Sequence, residues 1–127
     1  MPDFDAERMS RTVAAALAGP GGVALVINVF AGLPGVLHTP ARRGFFRSNP
    51  ERVQIGDWRY EIAHDGRLLA AHMVNGIVIA EEVLIAEAVG PHIGRALGQL
   101  VSRYGATVVP NINAAIEVLG TSAGYRF

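Results

Sequence analysis

The stretch RVQIGDWRYEIAHDGRLLAAHMVNGIVIAEEV, Arg52 to Val83, decides the fold. It holds three turn dipeptides in quick succession: Gly56-Asp57, Asp65-Gly66 and Asn75-Gly76. Asp-Gly and Asn-Gly suit type I′ turns, because both central residues there take positive φ. Two-residue turns at all three places predict a four-stranded antiparallel meander over about 52–55, 58–64, 67–74 and 77–83. The alternation agrees. Val53 and Ile55 share one parity and Trp58, Tyr60 and Ile62 the other, and a two-residue turn between them puts all five on one face.

The same register sorts the polar residues. It pairs Arg59 with His72 and His72 with Ile79, and likewise Glu61 with Ala70 and Ala70 with Glu81. The expected core face then carries Val53, Ile55, Trp58, Tyr60, Ile62, Leu69, Ala71, Met73, Val78 and Ala80. The other face carries Gln54, Arg59, Glu61, His72 and Glu81, with Leu68, Val74, Ile77 and Ile79 nearby. Strands about 4.8 Å apart put Glu61 and Glu81 roughly 10 Å from one another across Ala70, with His72 diagonal to both.

A histidine beside two carboxylates and an arginine has the groups for general acid–base work on an anionic substrate. One nitrogen and two oxygens also suit a metal ion, although no spacing makes that specific, and no metal is expected. Antiparallel sheets commonly wet one face, where cross-strand charge pairs are ordinary. This face holds more aliphatic residues than solvent requires. A partner surface, apolar at its centre and charged at its fringe, is therefore the preferred reading.

Composition sets outer bounds. The 127 residues suit a single domain, 1–127, with a core of its own. Hydrophobic residues make up 50% and charged residues 17%, and so apolar a small chain needs an outlet such as self-association. The formal net charge of zero argues against nucleic-acid binding, which draws its affinity from basic excess. There is no cysteine, so disulfides, thiol nucleophiles and thiolate metal sites are excluded. Every basic residue besides histidine is arginine, which excludes Schiff-base lysines and a P-loop lysine. An Arg-only chain rich in Ala, Gly and Val points to a GC-rich bacterial genome of the actinobacterial type.

Thr12 to Ala41 carries no formal charge, but Gly19-Pro20-Gly21-Gly22 and Leu33-Pro34-Gly35 divide it into pieces too short to cross a bilayer as helix. The acidic leader PDFDAER does not suit a signal peptide. A cytoplasmic protein with no membrane role is expected.

Outside the meander, Asp3 to Ala18 reads as a helix, with Met9, Val13 and Leu17 recurring every fourth residue and Gly19-Pro20 as its stop. Val23 to Phe30, VALVINVF, reads as a buried strand on its β-branched content. Pro34 to Pro50 reads as irregular. Residues 84–104 read as helix with a break at Gly90-Pro91, capped by Gly105, and a short helix at about 110–119 uses Ile112, Ile116 and Leu119. On the long helix Ile93, Leu97, Leu100, Val101 and Tyr104 form the apolar arc, and His92, Arg95, Gln99 and Arg103 the polar one. The tail is expected to dock through Tyr125 or Phe127. The fold class is α+β: an N-terminal helix, an antiparallel sheet, then C-terminal helices packed on one sheet face.

Two further candidates stand apart. HTPARRGFFRSNPER, His38 to Arg52, gathers Arg42, Arg43, Arg47 and Arg52 around Phe45-Phe46 and suits an anion-binding surface, against the plainer reading of a loop anchored by its aromatics. Ala86, Gly90, Gly94, Gly98 and Ser102 form a stripe of small residues four apart, suited to close helix packing against the 110–119 helix or a second copy of the chain. No G-x-G-x-x-G, G-x-S-x-G or other cofactor or nucleophile motif occurs, so no cofactor is expected.

The reading that follows is a non-enzymatic protein-interaction module acting as a homodimer, with a further protein partner as an additional expectation. The alternatives are a small enzyme or ligand-binding protein using Arg59, Glu61, His72 and Glu81, or an anion-binding module using Arg42, Arg43, Arg47 and Arg52. Within the first alternative Glu61, His72 and Glu81 are the catalytic candidates, and Arg42, Arg43, Arg47 and Arg59 the anion-binding ones.

Overall fold

A computed structural model of the chain describes residues 6–19, 22–40, 42–43, 48–49, 51–63 and 65–122. Two helices come first, α1 (Ala6–Ala18) and α2 (Gly22–Ala31). Seven strands follow: β1 (Leu37–Thr39), β2 (Arg42–Arg43), β3 (Ser48–Asn49), β4 (Arg52–Ile55), β5 (Trp58–Ile62), β6 (Leu68–Val74) and β7 (Ile77–Leu84). The chain closes with α3 (Ala86–Tyr104), a 3-10 turn at Ala106–Val108, and α4 (Val109–Ser122). β2 and β3 form a small ladder of their own, and the main sheet is antiparallel in the order β1-β4-β5-β6-β7. The fold is α+β, with the meander as expected and the helices on one face of the sheet.

Two of the three turns behave as their dipeptides require. Asn75 and Gly76 both take positive φ, 51° and 80°, so Val74 pairs directly with Ile77. Gly56, at φ 60°, takes the first central position of the turn that pairs Ile55 with Trp58. The third turn corrects the expected register. Ile62 pairs with Leu68, and Ala63 N–H bonds the Arg67 carbonyl at 2.8 Å, so three residues, 64–66, make the loop. Gly66 alone takes the positive φ, 85°, and the Asp65 carboxylate accepts the Arg67 N–H at 3.1 Å. Asp-Gly here ends a three-residue loop instead of filling a two-residue one.

One extra loop residue turns every β6 side chain over relative to β5. Tyr60 faces Ala70, Trp58 faces His72 and Arg59 faces Ala71. Leu68 and Ala70 therefore enter the core, and Leu69, Ala71 and Met73 lie on the other face. A second irregularity, a β-bulge at Ile79 between the His72–Ala80 and Met73–Val78 pairs, shifts β7 by one residue and sets Glu81 opposite Ala71.

Residues 23–30 are helix, not strand. Val26, Ile27 and Phe30 fall on one side of α2 and are buried, while Ala24 and Asn28 are exposed. That spacing lets a β-branched segment bury its apolar side against α1, α4 and the sheet, and packing overrides its strand preference. The Pro34–Pro50 stretch likewise supplies β1, whose Leu37, His38 and Thr39 pair with Gln54, Val53 and Arg52.

α3 runs unbroken through Pro91. The proline leaves the Glu87 carbonyl without a helical donor, but Glu87 lies in the exposed first turn, where water can bond it. The small-residue stripe meets α1 at Gly90. A Cβ built on Gly90 would lie 2.7 Å from Ser10 Oγ and 2.8 Å from the Ser10 carbonyl oxygen. Gly105, at φ 79°, caps α3 through its N–H to the Val101 carbonyl, 2.7 Å, as expected. Ile112, Ile116 and Leu119 of α4 are buried as expected and join Met9, Val13, Phe30, Ile93, Leu97 and Leu100 in one core. Tyr125 and Phe127 lie outside the described residues. Among the described residues, no helix is long and apolar enough to cross a membrane.

Candidate functional site

The register places three of the four scattered polar residues on the open side of the sheet and the fourth on the helix side. Cross-strand partners share a face, so Leu37, Gln54, Arg59, Ala71 and Glu81 form one row across β1, β4, β5, β6 and β7. Thr39, Arg52, Glu61, Leu69 and Val83 form the next row. His72 faces Trp58 and Ala80 on the opposite side. A constellation of Glu61, His72 and Glu81 therefore does not form, and among the described residues no three His, Asp or Glu groups converge as metal ligands.

On the open face Arg52 Nε donates to Glu61 Oε1 at 3.0 Å, a half-buried pair across β4 and β5. Arg59, one row over, has no acidic partner among the described residues, and its buried Nε meets no acceptor. Leu37, Thr39, Arg52, Gln54 and Arg59 line a hollow of about 180 Å³. Arg42 and Arg43 pair in β2 with Asn49 and Ser48, and Arg47 lies outside the described residues. A second hollow, about 330 Å³, lies between the β4–β5 turn and α3, lined by Asp57, Gln99, Ser102 and Arg103. Its polar groups bond one another: Arg103 Nη2 donates to Asp57 Oδ1 and Gln99 Oε1 accepts the Asp57 N–H, both at 3.2 Å.

The helix side carries a polar cluster that helical-wheel reasoning misplaces. His92 sits on the expected polar arc of α3 yet is only 3% exposed. The Trp58 ring stacks on His72 at 4.7 Å and meets the edge of His92 at 4.4 Å. Tyr60 and His92 bond through the phenol oxygen and Nδ1 at 2.8 Å, and His92 Nε2 lies 3.6 Å from Glu82 Oε1 on β7. Tyr60 O–H donates to a neutral Nδ1, and the Nε2–H points at the carboxylate. The sequence signal was Tyr60 itself: a tyrosine on a core face needs a polar partner for its hydroxyl.

Burial, more than any neighbour, fixes the charge states. It pushes the Tyr60 phenol well above its ordinary range, outweighing the opposing pull of Arg95, and Glu82 adds to the rise. It also lowers the His92 pKa from the ordinary 6.5, with Arg95 adding to the fall and Glu82 resisting it. The 3.6 Å approach of Glu82 is thus a polar contact with a neutral ring and not an ion pair at neutral pH.

A pH dependence follows from the direction of that shift. The unfolded chain takes up the His92 proton first, so this contribution to stability is complete above pH 6.5 and is lost as the pH falls through 6.5 towards the lower folded value. Thermal unfolding between pH 7.5 and 5 should show a midpoint that drops more steeply in the native protein than in His92→Gln. Parallel curves for the two proteins would remove His92 as the titrating group.

No curated protein and no solved structure matches the chain. A family model described as a domain of unknown function matches residues 1–121, and the chain accordingly belongs to the DUF5073 family.

Proposed function

We propose that this protein is a homodimeric protein-interaction module and that the dimer forms through β7. The observation that carries the proposal is the state of that strand. β7 is the sheet's outer strand on the side opposite β1, and every residue from Ile77 to Val83 is exposed. Ile77, Ile79 and Val83 are 65%, 57% and 42% exposed, and Val74 and Ile85 extend the apolar strip at its two ends. A long edge strand with apolar side chains presents unpaired N–H and C=O groups to any matching strand.

A second copy of the same strand is the occupant that fits best. Antiparallel pairing about a two-fold axis is isologous, so one mostly aliphatic segment supplies both halves of the interface. The apolar content of the chain, 50%, is accommodated by such a surface. Glu81 and Glu82 disfavour any register that opposes them directly, which moves the axis towards Ile77–Ala80.

Sedimentation at micromolar concentration should return twice the chain mass. Ile79→Lys should return the monomer with its circular dichroism unchanged, because the side chain it replaces is exposed within one chain. A native protein that stays monomeric at high concentration overturns the proposal, as does a dimer that survives Ile77→Lys and Ile79→Lys together.

A further inference from the structure

At the far end of the sheet from β7 lies the hollow under Arg59, and we infer that it is an oxyanion-binding site, shaped for a single phosphate or carboxylate group. Register alone assembles it. Leu37, Gln54 and Arg59 lie side by side on β1, β4 and β5, and Thr39, Arg52 and Glu61 lie side by side in the next row. Five of these six line the hollow, and the sixth, Glu61, bonds Arg52.

The charge balance favours an anion. Glu61 neutralises Arg52 at 3.0 Å, and Arg59 has no counter-charge among the described residues. The Arg59 Nε is buried and bonds nothing. A buried donor without an acceptor is costly, and native structures seldom leave one so without a further partner. An arginine fork matches the paired oxygens of a carboxylate or phosphate, taking two parallel hydrogen bonds where lysine offers a point charge. The Thr39 hydroxyl and the remaining N–H groups of Arg52 add donors around the rim, while the Gln54 amide is turned to the Gly56 carbonyl at 3.2 Å. The volume, about 180 Å³, is small for a drug-sized ligand but suits one anionic group with the rest of its molecule outside.

The site does not depend on the dimer, since β1, β4 and β5 are separated from β7 by β6. It also differs from the arginine cluster expected between His38 and Arg52. Arg52 of that cluster lines the hollow, and the deciding residue, Arg59, lies on the next strand.

The test is titration of the full chain with inorganic phosphate and, separately, with acetate, followed by backbone amide shifts at low ionic strength with chloride matched for ionic strength. Phosphate or acetate should move Leu37, Gln54 and Arg59 in a saturable way that chloride does not reproduce. Whichever of the two binds more tightly identifies the class of group. Arg59→Gln should weaken binding at least tenfold. Arg59→Lys keeps the charge and the stem but loses the fork, and should fall between the two. Arg103→Gln, on the helix side, should bind as the native chain does. Equal shifts with chloride, or unchanged affinity in both Arg59 variants, overturn the inference. Should Arg59→Gln fail to fold, Arg59→Lys and the chloride comparison still decide it.

Discussion

Gly90→Val should destabilise the fold by about 3 kcal/mol, read as a fall of roughly 10 °C in the thermal midpoint. The atoms it meets give the reason. The first carbon added at Gly90 would already lie 2.7 Å from Ser10 Oγ, 2.8 Å from the Ser10 carbonyl oxygen and 3.2 Å from its Cα. A hydroxyl can rotate away, but a helix carbonyl moves only with α1. The valine branches deepen the clash, so the two helices must part and the core between them, Met9 and Val13 with Val89 and Ile93, opens. Gly98→Ala is the matched control. Nothing lies within 4 Å of that position, so replacing glycine in a helix interior should stabilise by up to about 1 kcal/mol. A Gly90→Val protein that melts with the native one would show that the crossing of α1 and α3 has room to spare.

Tyr60→Ala should cost about 3–5 kcal/mol, comparable with the largest single-residue losses in a core. Tyr60 is fully buried on the central strand β5 among Val53, Ala70 and Ile93. Truncation leaves a cavity and also strips His92 Nδ1 of its donor. Tyr60→Phe separates the two effects: it keeps the ring and loses only the hydroxyl, and should cost about 1–3 kcal/mol for the polar atom left unpaired. Chemical denaturation of both variants measures the division. If the phenylalanine protein matches the native one in stability, the hydrogen bond to His92 adds nothing and the ring alone accounts for the loss.

The meander was legible because turns and alternation are local. Asn75-Gly76 and Gly56-Asp57 carry their own geometry, and Val53, Ile55, Trp58 and Tyr60 alternate cleanly. The middle hairpin was not, for an equally local reason. Leu68 and Leu69 are the same residue, and so are Ala70 and Ala71, so β6 offers an apolar side chain to the core in either register. Asp-Gly serves both loop lengths, and the choice falls to the Asp65 carboxylate capping Arg67. That ambiguity placed His72 beside Glu61 in the sequence reading and sets it against Trp58 in the structure. Arg59 and Glu61 kept the open face through the β4–β5 register, and Glu81 joined them because the bulge in β7 offset the longer loop. α2 was misread because a short apolar run, broken only by Asn28, satisfies either period, and the decision rests with neighbours far along the chain.

The two edges of the sheet are unequal: β7 offers eight residues and β1 three. A sheet with two long bare edges can add molecule after molecule and grow into a fibre, since each addition leaves a fresh edge like the last. Here head-to-tail growth, the β7 of one molecule on the β1 of the next, would rest on three residue pairs at most. Propagation through this sheet is thus opposed at its β1 end, and a segment as aliphatic as Ile77–Ala80 can pair once without growing into a fibre.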